Sequence, residues 1–340
     1  MRAAFYEGHR TIRIGEGSAV APGPGQVRIR VSHVGICGTD LHLFHGTLDH
    51  RVRQPHVMGH EMSGVVEVVG EGVAGWQRGD RVAVRPLEYC GACPACRAGH
   101  QHVCHTLKVI GVDLPGAMQD SCTVPARTLH ALPESLSLEH GALVEPLAVA
   151  CHDVRLGEVA AGEHVVVLGA GPIGVLIGLV ARLAGARVVL SEVNPFRRRL
   201  AEELGLEAVD PREVDLVALV DHQTGGAGAD VVFEVSGSKA GAESMTALPR
   251  VRGRVVIVAI HAEAPRVDVF RVFFRELRIV GARVYEGQDF EKAISIAGSG
   301  TLPLGSLVTN VMPLDGLESA LRQMESGGEV MKVLIRCSEV

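Results

Sequence analysis

Two groups of residues have types and spacings that suit chemistry. Cys90, Cys93, Cys96 and Cys104 follow one another as C-x2-C-x2-C-x7-C. Four thiolates this close in sequence can wrap one tetrahedral zinc ion and leave no coordination place for substrate, so such a site is structural. It would clamp a loop that has little core of its own. The cysteines alone also admit two disulfides, a redox pair or an iron–sulfur cluster. The second group is dispersed. Cys37 lies in Gly35-Ile-Cys-Gly-Thr-Asp-Leu-His42, His60 and Glu61 in Gly59-His-Glu-Met-Ser-Gly64, and Glu145 in Leu143-Val-Glu-Pro-Leu147. One thiolate, one imidazole and one or two carboxylates can hold zinc with an exchangeable position, the catalytic kind. Spacing does not bring them together. Singly, Cys37 also fits a core thiol, Glu145 a helix-capping acid and His60-Glu61 a turn pair. His45, His50 and His56 read as solvated loop residues, and Cys122, Cys151 and Cys337 as core or surface thiols.

A third motif points to a nucleotide. His164–Leu168 is a buried-strand pattern that runs into Gly169-Ala-Gly171-Pro172-Ile173-Gly174, which fits G-x-G-x-x-G. A helical stretch follows to Ala184, then a second strand, Arg187–Ser191, ends at Glu192. The strand, the helix and an acid about 20 residues on are the context that makes a glycine motif informative. The glycines let the backbone approach a pyrophosphate whose charge the helix N-terminus favours. Glu192 would accept hydrogen bonds from the adenine ribose and repel the extra phosphate of NADP, so NAD is the expected cofactor. Arg197, Arg198 and Arg199 argue the other way. Asn194 and Pro195 read as a helix N-cap and first turn, which predicts these arginines on its solvent side.

The elements that must position these residues fall into three textures. Residues 1 to about 150 hold short apolar runs bounded by Gly, Pro or charges, such as Gln26–Ser32 and Gly64–Val69, a strand-rich pattern. Residues 151 to 284 alternate strand and helix, the pattern of a parallel sheet wrapped by helices. The tail has a helix near Phe290–Ala297, another near Gly316–Ser326 with Asp315 as N-cap and Gly327 as stop, and a last strand at Met331–Arg336.

The 340 residues are 47% hydrophobic and 21% charged, enough for two packed cores. The net charge is −6 and aromatics are 4%, with no basic face or stacking platform for nucleic acid. The longest apolar stretch, Ile173–Ala181, is far short of the ~20 residues of a membrane span. The N-terminus has no apolar signal core, which predicts a cytoplasmic protein whose thiols stay reduced.

Together these motifs resemble the zinc-dependent medium-chain alcohol dehydrogenases. The signature G-H-E-x2-G-x5-G-x2-V runs from Gly59 to Val73 and is followed by Gly79-Asp-Arg-Val82. The CGTD, four-cysteine, VEPLA and GAGPIG segments keep the family's order, and the resemblance spans essentially the whole chain. It is strongest with the polyol (sorbitol), butanediol and L-threonine dehydrogenases, through Cys37–His42, Glu145–His152 and Val280-Gly-Ala-Arg-Val-Tyr285. The ethanol-type branch has a cysteine where Glu145 stands, and the zinc-free quinone reductases lack these ligands.

The resemblance implies an α/β protein. A GroES-like β-rich catalytic domain would comprise residues 1–150 and 285–340, with a Rossmann domain of doubly wound parallel sheet, 151–284, inserted and the active site in the cleft. It implies that Cys37, His60 and Glu61 bind catalytic zinc, with Glu145 a displaceable ligand or a nearby carboxylate, and that the four-cysteine lobe holds structural zinc. Thr39 and His42 match proton-relay positions, the proton passing through the nicotinamide ribose. Ile173 would lie beside the pyrophosphate, Glu192 and Arg197 around the adenosine, and Val258, Ala259, Ile260, Val284 and Tyr285 near the nicotinamide. The implied reaction is hydride transfer between NAD and a secondary alcohol: a polyol, vicinal diol, sugar-derived alcohol or L-threonine-like substrate. The implied assembly is a homotetramer or dimer. A zinc-free nicotinamide-dependent reductase and a non-catalytic nicotinamide-binding protein are the competing classes.

Overall fold

The computed structural model describes residues 1–339. Its two compact units are Met1–Glu145 with Glu286–Val340, and Pro146–Tyr285. These limits lie a few residues from the expected 150/151 and 284/285, because the helix Val144–Leu156 begins in one unit and ends in the other.

The first unit is built on a seven-stranded sheet. Its central strand, Gln26–Gly35, alternates. Val27, Ile29 and Val31 are buried in the core, while Arg28 and Arg30 point the other way and pair with Glu67. This period-2 pattern is what a strand with one core face requires. Glu61–Val69 and Lys332–Arg336 flank its end: Gly35 stands opposite Glu61 on one side and Leu334 on the other. The sheet thus brings three distant segments to one point, and the chain then turns into the helix Gly38–Phe44.

The tail differs in two details from the sequence pattern, the first being a further strand, Val308–Pro313, that pairs in parallel with Lys332–Arg336. Asp315 does not cap the helix Leu317–Ser326. It sits in a 3-10 turn, Leu314–Gly316, that leads into the helix from the preceding strand. Its carboxylate lies 3.8 Å from Arg2 instead. Gly327 does end the helix, at φ 68°.

The second unit is a six-stranded, wholly parallel sheet. Its order is Glu207–Val209, Arg187–Ser191, His164–Leu168, Ala229–Glu234, Pro249–Ile257, Arg278–Gly281. Every residue of His164–Leu168 is buried, as expected of a strand covered on both faces. The chain winds outward from this strand, then returns beside it at Ala229–Glu234 and winds the other way. Ligands of open parallel sheets bind at such a reversal, beyond the carboxyl ends of the strands. Among the described residues no helix is long and apolar enough to cross a membrane.

Candidate active site

The four cysteines converge on an exposed lobe that carries only the strand pair Leu87–Glu88 and Lys108–Val109, the short helix Pro94–Arg97 and one 3-10 turn. Sulfur–sulfur distances are 3.6 Å for Cys90–Cys104, 3.9 Å for Cys93–Cys104 and 4.0 Å for Cys90–Cys96. Thiolates at ~2.3 Å from a tetrahedral zinc stand about 3.8 Å apart, so the cage fits that ion. Backbone N–H groups of Ala92 and Cys93 donate to Cys90 Sγ at 3.4 and 3.3 Å. They pull that thiol down to about 6, toward the thiolate a metal needs. Burial pushes Cys96 up to about 12. All eight cysteines are free thiols.

The dispersed residues also meet. Ligand atoms of Cys37, His60 and Glu61 lie within 4.8 Å of one another. Cys37 caps the helix Gly38–Phe44, and its backbone N–H donates to Asp40 Oδ2 at 2.9 Å. Cys-Gly-Thr-Asp is therefore a helix start whose N-cap residue is a metal-binding type. Gly59, at φ 95°, leads into His60; a Cβ there would lie 2.8 Å from Met118 and Val34 side chains. His60 Nδ1, Glu61 Oε2 and Asp40 Oδ1 are buried without a hydrogen bond. A thiol, an imidazole and a carboxylate whose ligand atoms converge in one buried place are a donor set that a zinc ion would satisfy.

Glu145 falls outside that triangle but acts on it. Burial opposes a charge on His60, yet Asp40, Cys37 and Glu145 outweigh it and hold the imidazole well above its ordinary range. Thr39 Oγ1 lies 3.8 Å from Cys37 Sγ. Thr39 and His42 are half-buried and three residues apart on one helix, so they share a face. His56 is buried in a strand, not solvated in a loop, because Phe5-Tyr6 pairs with it and Val57. His45 is on the surface, paired with Glu325.

In the second unit Gly169 has φ 103°, Gly171 caps the helix Pro172–Leu183, and Pro172 fills its first position. A Cβ on Gly174 would lie 1.9 Å from Gly169 O, so only glycine lets the helix close on the strand there. Glu192 is buried; its Oε2 accepts from Ala170 N and its Oε1 from Asn194 N, both at 2.8 Å. Asn194 caps the next helix as expected. The arginines after it do not all face solvent. Only Arg199 is exposed. Arg198 turns back to donate to Glu192 O, Val193 O and Asp210 Oδ2. Arg197 leans toward the glycine loop, its Nη1 3.8 Å from where a Gly171 Cβ would be. Buried polar acceptors at the sheet edge override the helix's outward pattern. Val284 has φ 46°, strain for a β-branched residue of the kind that collects at ligand sites. Its neighbour Tyr285 is fully buried.

Residues 23–134 match the alcohol dehydrogenase GroES-like domain and residues 172–299 the zinc-binding dehydrogenase domain. The chain is 51% identical to 2-dehydro-3-deoxy-L-galactonate 5-dehydrogenase of Pseudoalteromonas atlantica, over 99% of both chains. It is 36% identical to L-threonine 3-dehydrogenase of Pyrococcus horikoshii, over 92% of each. A Sinorhizobium meliloti zinc-binding dehydrogenase structure bound to NADP is similar at TM-score 0.93 and 33% identity, covering 98% of each chain. The chain belongs to the zinc-binding alcohol dehydrogenase family. It has the family's GroES-like and Rossmann-type fold, and it is a nicotinamide-dependent oxidoreductase acting on CH–OH groups.

Three parts of this dehydrogenase's site escaped the sequence reading. Lys332, from the last strand, is buried and ion-paired with Glu61 Oε2, and donates to Ile36 O at 2.9 Å. Burial works against its charge, but Glu61, Cys37 and Glu145 raise it above the usual lysine range. Gly35 makes room for the pair: a Cβ would lie 2.0 Å from Glu61 Oε2. Asp40, wholly buried, lies 3.8 Å from His60 Nδ1, and its place three residues after Cys37 was the one available signal.

Proposed function

We propose that this dehydrogenase oxidises the secondary hydroxyl of a deoxy sugar acid of the 2-dehydro-3-deoxygalactonate type, with NAD as acceptor. The Cys37, His60 and Glu61 cluster beside Thr39 carries the reaction class. The 51% identity to a sugar-acid dehydrogenase along the whole chain supports the substrate class. A zinc ion held by Cys37, His60 and Glu61 would supply Lewis acidity toward the substrate hydroxyl. A nicotinamide held at residues 258–260 and 284–285 would supply the hydride acceptor. Thr39 Oγ1 accepts the hydroxyl proton as it releases its own toward His42, on the same helical face, and the His42 imidazole passes that proton to solvent. Glu145 stays near as a carboxylate that stabilises the positive charge on Lys332, and beside a zinc ion His60 would be the neutral imidazole that a metal ligand must be. The four-cysteine lobe holds a second, structural zinc.

The glycine loop, Glu192 and Arg197 hold the adenosine and pyrophosphate, and residues 258–260 and 284–285 the nicotinamide. The NAD preference is supported by Glu192 at the loop and by Arg198 and Arg212, which are both committed to Asp210 and hold it well below the usual carboxylate range. The protein associates with its own copies as a dimer or tetramer. Supporting this, Phe270, Phe273 and Phe274 are more than 60% exposed on one helix, beside the sheet's edge strand Arg278–Gly281. Free thiols suit the cytoplasm. The deciding experiment is nicotinamide reduction with 2-dehydro-3-deoxygalactonate, sugar alcohols, butanediols and L-threonine, with NAD and NADP in parallel and a strong chelator as control. Chelator-sensitive activity highest with the sugar acid and NAD is expected. Higher kcat/KM for threonine or a polyol overturns the substrate, and higher kcat/KM for NADP overturns the cofactor.

A further inference from the structure

Glu234 is the last residue of Ala229–Glu234 and stands beside Leu168, the last residue before the glycine loop. It therefore lies at the point where the sheet's winding reverses. Its side chain is fully buried, which is costly for a carboxylate unless its oxygens are engaged. They are engaged by two different loops. Oε1 accepts from Ser236 N at 3.1 Å, Ser236 Oγ at 2.5 Å and Gly237 N at 3.2 Å. Oε2 lies 2.9 Å from His261 Nε2, a contact off the line of a hydrogen bond. The Glu234 carbonyl adds a third hold by accepting from Val258 N and Ala259 N at 2.9 and 3.1 Å.

The first of these loops backs the nucleotide motif. A Cβ on Gly169 would lie 3.0 Å from Ser236 N and Cα, so the turn that Oε1 shapes backs the first glycine. The other loop, Val258–His261, follows the neighbouring strand Pro249–Ile257. The two loops also touch: a Cβ on Gly237 would lie 3.3 Å from Ile260 O. A single carboxylate thus ties together the backing of the pyrophosphate loop and the segment assigned above to the nicotinamide.

We infer that Glu234, with His261 as its partner, is a positioning residue for the dinucleotide, fixing both loops before NAD binds. The inference rests on the NAD-binding reading. Nothing in it requires Glu234 or His261 to touch the reacting atoms. Preorganised loops spare the ordering cost on binding, so the effect belongs in cofactor affinity and not in the chemical step.

The test is NADH binding by fluorescence titration of the full-length zinc-loaded enzyme, with steady-state kinetics and melting temperature alongside. Glu234→Gln should raise the NADH Kd and the NAD KM about tenfold, the scale of one lost charge-assisted contact. Alcohol KM and zinc content should be unchanged. His261→Ala should raise Kd less. His261→Gln, which keeps a polar N–H group within reach of the carboxylate, should recover most of the loss. The double variant Glu234→Gln with His261→Ala should lose less than the sum, because the two act through one contact. If Glu234→Gln fails to fold, the His261 pair of variants decides. Wild-type NADH affinity in the variants overturns the inference and leaves the NAD-binding reading intact. A fall in affinity matched by a rise in alcohol KM and zinc loss also overturns it, since the role would then be general packing. Failure of the unmodified enzyme to bind NADH overturns both.

Discussion

The four-cysteine lobe and the cluster of Cys37, His60 and Glu61 use overlapping ligand chemistry under opposite conditions. The lobe draws four identical ligands from one short segment, and two of its sulfurs reach the surface or near it. Around it lie backbone N–H groups and little else. The cluster draws three different candidate ligands from two segments of a sheet and helix, and is ringed by Asp40, Glu145 and Lys332, all buried. A symmetric, saturated cage can only hold. A mixed set with charged neighbours has its strength tuned by groups that are not ligands. The difference teaches that ligand count separates the two sites less well than the charges built around them.

The largest effect expected from this contrast is at Cys37. Cys37→Ala should abolish turnover and lose one of two zinc ions per chain, with melting temperature little changed, because the sheet on which it sits remains packed. Metal analysis with activity on the same sample checks it. Thr39→Val should leave both zinc ions bound and cut kcat by ~10²–10⁴, the range for a lost proton-transfer group. Near-normal kcat would remove Thr39 from the relay.

Lys332→Met probes the charges directly. It leaves Glu61 buried without its cation, which costs about 3–5 kcal/mol when one partner of a buried pair is removed. Added zinc would then take the lysine's place beside the carboxylate. The variant's zinc-free form should melt well below the unmodified protein, and zinc should raise its melting temperature by more. Equal zinc shifts in both proteins would show that Lys332 does not compete for Glu61. Asp40→Asn should weaken zinc binding at this site about 10- to 100-fold, as loss of a ligand's supporting carboxylate does. Chelator competition measures it, and the lobe's zinc serves as internal reference.

The same contrast explains what the sequence made legible. The lobe was complete in its spacing, because local chain geometry alone closes four neighbouring cysteines on one point. The nucleotide motif was legible for the same reason: strand, glycines and helix follow one another directly. Cys37, His60 and Glu61 were named as a zinc-capable set from their types, but only family resemblance joined them, and the register of Gly35 against Glu61 shows how two of the segments meet. Lys332 was silent, since its partner lies far back along the chain and no spacing links them. Arg198 was misjudged for a related reason: its helical position faces outward, but Asp210 on a neighbouring turn draws it in.

The smallest expected change in turnover comes from the lobe itself. Cys93 is both a cage sulfur and the N-cap of Pro94–Arg97, accepting from Cys96 N at 3.5 Å. Serine is a favoured N-cap, so Cys93→Ser preserves the helix start and removes mainly the metal ligand. It should lose the lobe's zinc, lower the melting temperature and open the segment between Cys90 and Cys104 to proteolysis. Turnover per remaining zinc should stay within about a factor of three, the ~0.5 kcal/mol scatter of changes outside a site. A collapse of kcat in a protein that still holds its Cys37 zinc would break the comparison. The lobe would then shape the reacting groups and not merely clamp its own loop, and the two sites would have to be treated as one.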